Sequence, residues 1–547
     1  MALKLVYKDV APEAKQDIES IEFSQSNPKL SDMSVLLLDN IKPVRYATME
    51  ENQWRLDGTY NYMTEHNVPF ISKAISNETI TDTEKGLYYA LNPMCRITRI
   101  FRNKHKSSGI SFVFDYPDYC GKLTVIWYND EKQVGSATAY PDSTEYYIEY
   151  PVEAFNKITI TFNGMNKPNR YLKVWSIDDG TNRIYTNKDV LSIDILEEIS
   201  LISEKIPSNT LDLTLKNTTD TDLMFQKNQP FTVYNNDDIV GVFYIDNAER
   251  PGKYTYSIHA QDYKGVLENN LFYGGIYVDE LAGKIIEDIF EDENILLEID
   301  DATYNTKLSG YLKIDTKRSA LMQVLFATCS VCNTAGTDKF KIFKLPNNSK
   351  QIDSARIKSG GSVKNSPKLT SVKLSVHNYV KDTESKEIYS GDVLKGENTI
   401  QFTNPIDTES ISISKGSLKV VHPNYCVIET DQDTDITIEA VEYIDNVTIE
   451  EMSDKNKLFG QATEVKEITD ATLVSKHNSK AVLTNVYNYY SMNSTLETDI
   501  HIINEEVGDR VYLHTEWSGI KKGRLEQLDY SIGNKKIGKV VQRISNE

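Results

Sequence analysis

Carboxylates at alternate positions form the strongest cation-binding pattern in the chain: Asp431, Asp433 and Asp435, followed by Glu439 and Glu442. Calcium takes oxygen ligands, and these five residues fall on positions one, three, five, nine and twelve of an EF-hand loop. Position six, which needs glycine for its sharp turn, is Ile436, and the segment runs straight into the strand-like ITIEAVEY. An acidic hairpin turn therefore fits the segment better than a calcium loop. Cys329-Ser-Val-Cys332 has CxxC spacing, yet no second CxxC or histidine pair accompanies it. It closes an apolar helical run, where cysteine packs as a small hydrophobe. The eight histidines are scattered without HxxxH or HxH spacing, and no GxSxG, Walker or HExxH motif occurs. His259 lies in the alternating run YTYSIHAQDY and reads as a strand-surface or hydrogen-bonded core residue. Sequence does not place two carboxylates across a glycosidic bond, so no hydrolase dyad is assigned. Trp127, Tyr128, Tyr146, Tyr147 and Trp175 are the best ligand candidates, because sugar rings stack on Trp and Tyr faces while nearby Asp and Asn hold their hydroxyls. Core packing at alternate strand positions is the competing reading of the same rings.

The elements that would position these residues are mostly strands. The chain has 547 residues, enough for ~3–5 domains. With 39% hydrophobic and 26% charged residues, each can bury an ordinary core. Its 33 Tyr against 17 Phe favour strands and half-wet interfaces. A net charge of −20, with no basic run, argues against specific nucleic-acid binding. Five cysteines make no disulfide framework and fit synthesis in a reducing cytosol. The N-terminus lacks the apolar stretch of a signal peptide, and no apolar run is long enough to span a membrane.

The patterning predicts a mainly β, multidomain fold: a β-sandwich or jelly roll plus tube-like β-barrels, with small α+β modules. Residues 1–53 read as a lead-in. Residues 54–189 hold short, regularly spaced strands of jelly-roll type. Residues 190–275 alternate apolar and polar positions between Asn-Asn, Asp-Asp, Pro-Gly and Lys-Gly turns, the pattern of an antiparallel barrel. Residues 276–358 form an α+β module. In its first helix Leu281, Ile285, Ile286 and Ile289 share a face, with Asp279 and Glu280 in the first turn. Its second helix is KRSALMQVLFATCSVC. SGGSVKNSPK is a linker-like stretch at the start of 359–470, predicted as a second β-barrel. Residues 471–547 open on the helix NSKAVLTNVYNYYSM and close with strands.

From Arg45 to Asn217 the chain resembles tail proteins of phages and prophages of Gram-positive hosts. The residues that carry this are RYATMEENQWRLDGTY, SFVFDYP, LTVIWYNDE, EYYIEYPVEAFNKITITF, NKPNRYLKVWSIDDG and VLSIDILEEISLISEKIPSNTLDLTLKN. The first part is similar to a carbohydrate-binding-like jelly roll and the last to the start of a tail-hub barrel. GKYTYSIHAQDYKGVLEN, DELAGKIIEDIF and the closing GRLEQLDYSIGNKKIGKV continue the resemblance. It implies a tail hub or baseplate protein: a homotrimer at the distal end of a phage or phage-tail-like tube. Its implied partners are the distal tail or tube protein, the tape measure protein, and baseplate or receptor-binding proteins. The implied location is the virion or tail-like particle, after synthesis in the bacterial host cytoplasm. The sequence ends at Glu547 after the hub-like strands, so wall cleavage is expected to fall to another protein. No cofactor and no catalysis are expected. The alternatives are a receptor-binding protein that grips cell-wall glycans through 54–189, and a tail-associated hydrolase.

Overall fold

The computed structural model describes residues 3–10, 18–23, 47–48, 75–82, 86–114, 117–168, 170, 172–216, 225, 227–236, 238–293, 295–358, 361–454, 463–515, 519–532 and 537–544. Most of them are strands. Two compact units separate: Val6–Ile184, and Met1–Leu5 with Tyr185–Glu547. Much of the Trp54–Tyr62 and Pro69–Asn77 patterning, and nearly all of Arg45–Tyr60, lies outside the described residues.

In the Val6–Ile184 unit a long strand, Gly86–Phe114, pairs antiparallel with Ile75–Asp82, Ile18–Phe23 and Glu145–Met165. Cys120–Asn129 pairs with Lys132–Ala139 and with the second half of Glu145–Met165. The tight turn between the first two uses Asp130 at φ 58, a conformation that Asp tolerates better than most residues. Burial alternates along Cys120–Asn129, so Leu123, Val125 and Trp127 enter the core while Thr124, Ile126 and Tyr128 are partly exposed. They meet Ile97, Phe112, Phe114, Ile158, Ile160 and Phe162 in one cluster. Arg99 and Asp179, both 1% exposed, pair inside this unit at 3.0 Å. Within the stretch read as a lead-in, Ile18–Phe23 is a strand paired with Ile97–Phe101, a register that local sequence does not reveal.

The larger unit is organised by one broad antiparallel sheet. Its order runs Pro230–Asn235, Asp238–Gly252, Thr255–Gln261, Thr210–Lys216, Val190–Glu198, Gly519–Ser531, Ile537–Ile544, Ser494–His501, Ser362–Asn365. Arg510–Thr515 forms a hairpin with the first half of Gly519–Ser531, and Ser349–Ile352 adds to it in parallel. Ile193, Ile195, Leu211, Leu213, Ile258, Ala260, Leu528 and Val540 fill the buried side. The regions 190–275 and 471–547, expected as separate modules, thus share a sheet. The join is Asp194 to Glu198 against Gln527 to Ser531.

A helical core sits beside this sheet. The helices Ala282–Ile289, Lys317–Thr328 and Ser479–Ser491 bury Ile285, Ile286, Ile289, Leu321, Val324, Leu325, Val482 and Val486 in one cluster. Ile285, Ile286 and Ile289 take the predicted face, but Leu281 is the cap residue, and Asp279 and Glu280 belong to the preceding strand Gly275–Leu281. Lys317–Thr328 starts on Thr316, whose hydroxyl accepts the Ser319 N–H at 3.1 Å, and ends on Cys329 in the left-handed conformation at φ 55.

The second barrel expected over 359–470 is replaced by two different structures. Lys368–Val376, Thr448–Ser453 and Thr463–Ile468 form a three-stranded sheet whose Val372 and Leu374 join the helical core. Between them, two three-stranded sheets enclose a core of their own, with Val393, Ile400, Cys426, Ile428, Ile436 and Ile438 buried. One sheet holds Lys386–Val393, Thr434–Ala440 and Ser412–Ile413; the other holds Gly396–Gln401, Tyr425–Thr430 and Ser417–His422.

Candidate functional site

The acidic stretch is an inter-sheet connection. Tyr425–Thr430 and Thr434–Ala440 do not pair with each other, so Asp431 to Asp433 cross from one sheet to the other, which corrects the hairpin expectation. Asp433 Oδ1 accepts the Lys395 N–H at 2.8 Å. Asp435 stands opposite Asp392, and the hydrogen bond and charge of Asp435 raise the Asp392 carboxyl above its ordinary value. Among the described residues no group of three His, Cys, Asp or Glu side chains comes together to hold a metal ion.

The CxxC pair divides between two elements. Cys329 caps the helix and Cys332 lies in the buried strand Val331–Asn333. Burial pushes the Cys329 thiol up to about 11 and the Cys332 thiol up to about 12, so neither is poised as a nucleophile. His259 lies on the sheet's solvent side, its Nδ1 2.8 Å from Asp212 Oδ1 on the neighbouring strand.

The aromatic candidates do not converge on one platform. Trp127 is fully buried, with Tyr150 stacked 5.1 Å away at an interplanar angle of 7°. It is a core residue and offers no open face to a sugar, because the strand alternation turns it inward. Tyr128 points outward, with the Lys157 ammonium 5.2 Å from its ring centre. Tyr146 packs against the core, while Tyr147 is 40% exposed. Tyr147 pairs with Ser111, whereas Tyr128 pairs with Lys157, roughly ten residues and ~30 Å of extended chain further on. The Trp175 side chain lies outside the described residues.

Two features of the broad sheet were not singled out from sequence. One is its polar side. Asp194 faces Asp212, Asp212 faces His259, His259 faces Asn247, and Asp194 faces Ser531, forming a row across five strands. A neighbouring row runs Leu196, Asp529, Lys539 and Asp499. Glu497 joins it, its carboxyl held below the ordinary value by Lys364 and Lys539. Lys216, Lys364, Lys539, Arg524 and Arg543 stand on the same side, so it is polar with charges of both signs.

The other is a buried polar joint between the sheet and the helical core. Lys264 Nζ reaches Asp262 Oδ2 at 3.2 Å, Asn209 Oδ1 at 3.2 Å and the Glu198 carbonyl at 3.3 Å. The Thr334 hydroxyl donates to Asp262 Oδ2 at 2.6 Å and accepts from Asn209 Nδ2 at 3.2 Å. Asn209 also receives the Glu198 N–H at 2.9 Å. All of these side chains but that of Glu198, which contributes only backbone, are buried. The signal was present in Asp262-Tyr-Lys264-Gly265, where a charged pair ends an apolar strand, but Lys-Gly reads equally well as a turn. A second joint centres on Glu293. Burial opposes its charge, yet Lys317 at 2.8 Å, Tyr263 at 2.6 Å and Asn270 at 2.8 Å hold its carboxyl below the ordinary value. Tyr530, whose hydroxyl donates to Glu197 at 2.5 Å, is pushed well above its ordinary value by burial and by that carboxylate.

No family model and no curated protein matches the chain. Solved structures do. A 43 kDa tail protein of prophage MuSo2 from Shewanella oneidensis is 10% identical, with a TM-score of 0.40, over 66% of this chain and 95% of that one. A tail protein from Neisseria meningitidis MC58 is 10% identical, with a TM-score of 0.41, over 67% and 94%. Prophage tail protein gp18 from Listeria monocytogenes EGD-e is 10% identical, with a TM-score of 0.38, over 66% and 91%. These sources are three different bacteria, and no host follows for this chain; the expected Gram-positive host is left unsupported.

Proposed function

We propose that the chain is a structural tail hub or baseplate protein that closes the distal end of a phage or phage-tail-like tube and links it to baseplate or receptor-binding parts. The observation that carries this reading is the broad sheet. Strands at 190–261 and strands at 494–544 meet side by side in one surface, with an apolar side bound to the protein's own core and a polar side that carries the Asp194 and Asp212 row. Those are the two segments whose sequences resemble hub strands. A sheet held rigidly on one side suits a tube-continuing wall, where function comes from symmetric contacts between copies.

In this reading three copies place Asp194, Asp212, Asp529 and Asp499 around a lumen. Like charge repels the phosphate backbone, so nucleic acid slides without sticking. The buried joints keep the wall in register with the helical core. The function is mechanical and assigns no reaction to any residue. Light scattering on the purified full chain tests it: a mass near three times 62.3 kDa supports the reading, and a mass that stays at 62.3 kDa at every concentration argues against a self-assembling hub.

A second reading, glycan binding by the Val6–Ile184 unit, is favoured by the exposure of Tyr147. Trp127 takes no part in it. Binding of the full chain to isolated cell walls, lost on Tyr147→Ala, would support it.

A further inference from the structure

The buried joint around Lys264 has its side chains arranged as an amide-forming site. We propose that Lys264 Nζ and Asn209 Cγ become joined by an intramolecular amide bond, with loss of ammonia. Lys264, Asp262 and Asn209 are each 1% exposed and Thr334 is 6% exposed, so water is kept from the group. The Glu198 N–H fixes Asn209 Oδ1 as its acceptor at 2.9 Å, and Asn209 Nδ2 faces the Thr334 hydroxyl at 3.2 Å. Lys264 Nζ stands 3.2 Å from Oδ1, and so at most one carbonyl bond, about 1.2 Å, further from Cγ. Asp262 Oδ2 lies 3.2 Å from the same Nζ and accepts the Thr334 hydroxyl at 2.6 Å. Asp262 Oδ1 is buried and makes no hydrogen bond among the described residues.

These positions supply each part of an acyl transfer. Asp262 takes one proton from the Lys264 ammonium, which frees the Nζ lone pair to attack Asn209 Cγ. Charge developing on Oδ1 is met by the Glu198 N–H, placed as an oxyanion donor. The Asp262 proton passes through the Thr334 hydroxyl to Nδ2, and a second Nζ proton moves to the carboxylate. The Nζ–Cγ bond forms, the Cγ–Nδ2 bond breaks, and Nδ2 leaves as ammonia. Of the Nζ protons, one stays on the new amide, one ends on Asp262 and one leaves with the ammonia, so no co-reactant is needed. Burial holds the reactants at high effective concentration and keeps water from competing. The reaction runs once per molecule, as a maturation step. A packing ion pair requires only Asp262 and Lys264; the Glu198 N–H on Oδ1 and the Thr334 hydroxyl between Asp262 and Nδ2 complete a reaction path. The bond ties the start of Thr210–Lys216 to the short helix Tyr263–Val266 that follows its partner strand Thr255–Gln261.

The test is the intact mass of the denatured full-length chain together with its tryptic map. The expected mass is one ammonia below that of the sequence, and Ile206–Lys216 should appear linked to Tyr254–Lys284, uncut after Lys264. The linked pair separates this bond from ammonia loss at an Asn-Gly site, which joins no two peptides. Lys264→Arg and Asn209→Ala should restore the full mass. Thr334→Val keeps the shape and removes the relay, and should lower the linked fraction soon after synthesis about tenfold or more. Asp262→Asn should abolish the link, with near-ultraviolet circular dichroism reporting whether each variant stays folded. The proposal is overturned if the folded wild-type chain keeps its full mass, if trypsin cuts after Lys264 throughout, or if folded Asp262→Asn or Thr334→Val links as fast as wild type.

Discussion

Replacing Lys264 with methionine should loosen the joint between the broad sheet and the helical core more than any exposed charge change would. The ammonium has three acceptors within 3.3 Å and is 1% exposed, as is Asp262. Methionine fills most of the volume but leaves the Asp262 carboxylate buried, with the Thr334 hydroxyl as its remaining side-chain donor. Removing one partner of a buried ion pair costs about 3–5 kcal/mol, because the other charge stays behind without compensation. The chain has two units, so a single global unfolding free energy is a poor observable. Amide hydrogen exchange along Thr255–Gln261 and at Glu198 reads the local opening directly. At 1.4 kcal/mol per factor of ten, exchange there should accelerate roughly a hundredfold to several-thousandfold, while Cys120–Asn129 in the other unit stays unchanged. Asp262→Asn combined with Lys264→Met should cost less than the two single changes added together, since no buried charge remains. Acceleration of less than about fivefold in Lys264→Met, under 1 kcal/mol, would refute the claim that this pair holds the joint.

Trp127→Ala should destabilise the Val6–Ile184 unit by about 3–5 kcal/mol, and Tyr147→Ala by far less, as thermal unfolding of the two variants would show. At about pH 8 iodoacetamide should leave Cys332 unmodified until denaturant is added, because burial pushes its thiol up to about 12; rapid modification of Cys332 in the folded chain would contradict its burial. Glu505 is buried, which disfavours its charge, but the Arg356 guanidinium at 2.6 Å and the Ile503 N–H hold its carboxyl below the ordinary value. Its contribution to stability is therefore present above pH 4.5 and lost as pH falls through the lowered value, so Arg356→Gln should flatten the acid limb of a stability–pH curve. If the polar side of the sheet lines a conduit, Asp212→Lys with Asp529→Lys should slow genome ejection from otherwise intact particles, and unchanged ejection rates would count against that placement.

Where pairing is local, the sequence was readable. The alternation in Val190–Glu198, Thr210–Lys216 and Thr255–Gln261 appears as the predicted antiparallel ladder, and Ile285, Ile286 and Ile289 occupy the predicted helical face. Where partners are distant it was not. Nothing in DYSIGN says that Asp529 lies beside Leu196, and nothing in the opening residues says that Ile18–Phe23 joins Ile97–Phe101. Alternation also shows that Trp127 and Tyr128 face opposite ways without showing which side is the core. The acidic run failed for a related reason: two adjacent alternating segments imply a hairpin, but Tyr425–Thr430 and Thr434–Ala440 each find better partners in separate sheets. The candidate surface was not singled out in the sequence, where acidity was read only from the net charge of −20. The buried Asp262–Lys264 joint was hidden because a charged pair near a glycine has the same local signature as an exposed turn.

The most direct test of the hub assignment is electron microscopy of intact tails or tail-like particles decorated with gold-labelled antibody against this chain. The account predicts label at one end of each tail, distal to any head. Label spread along the tube, or particles that never carry it, would contradict the account.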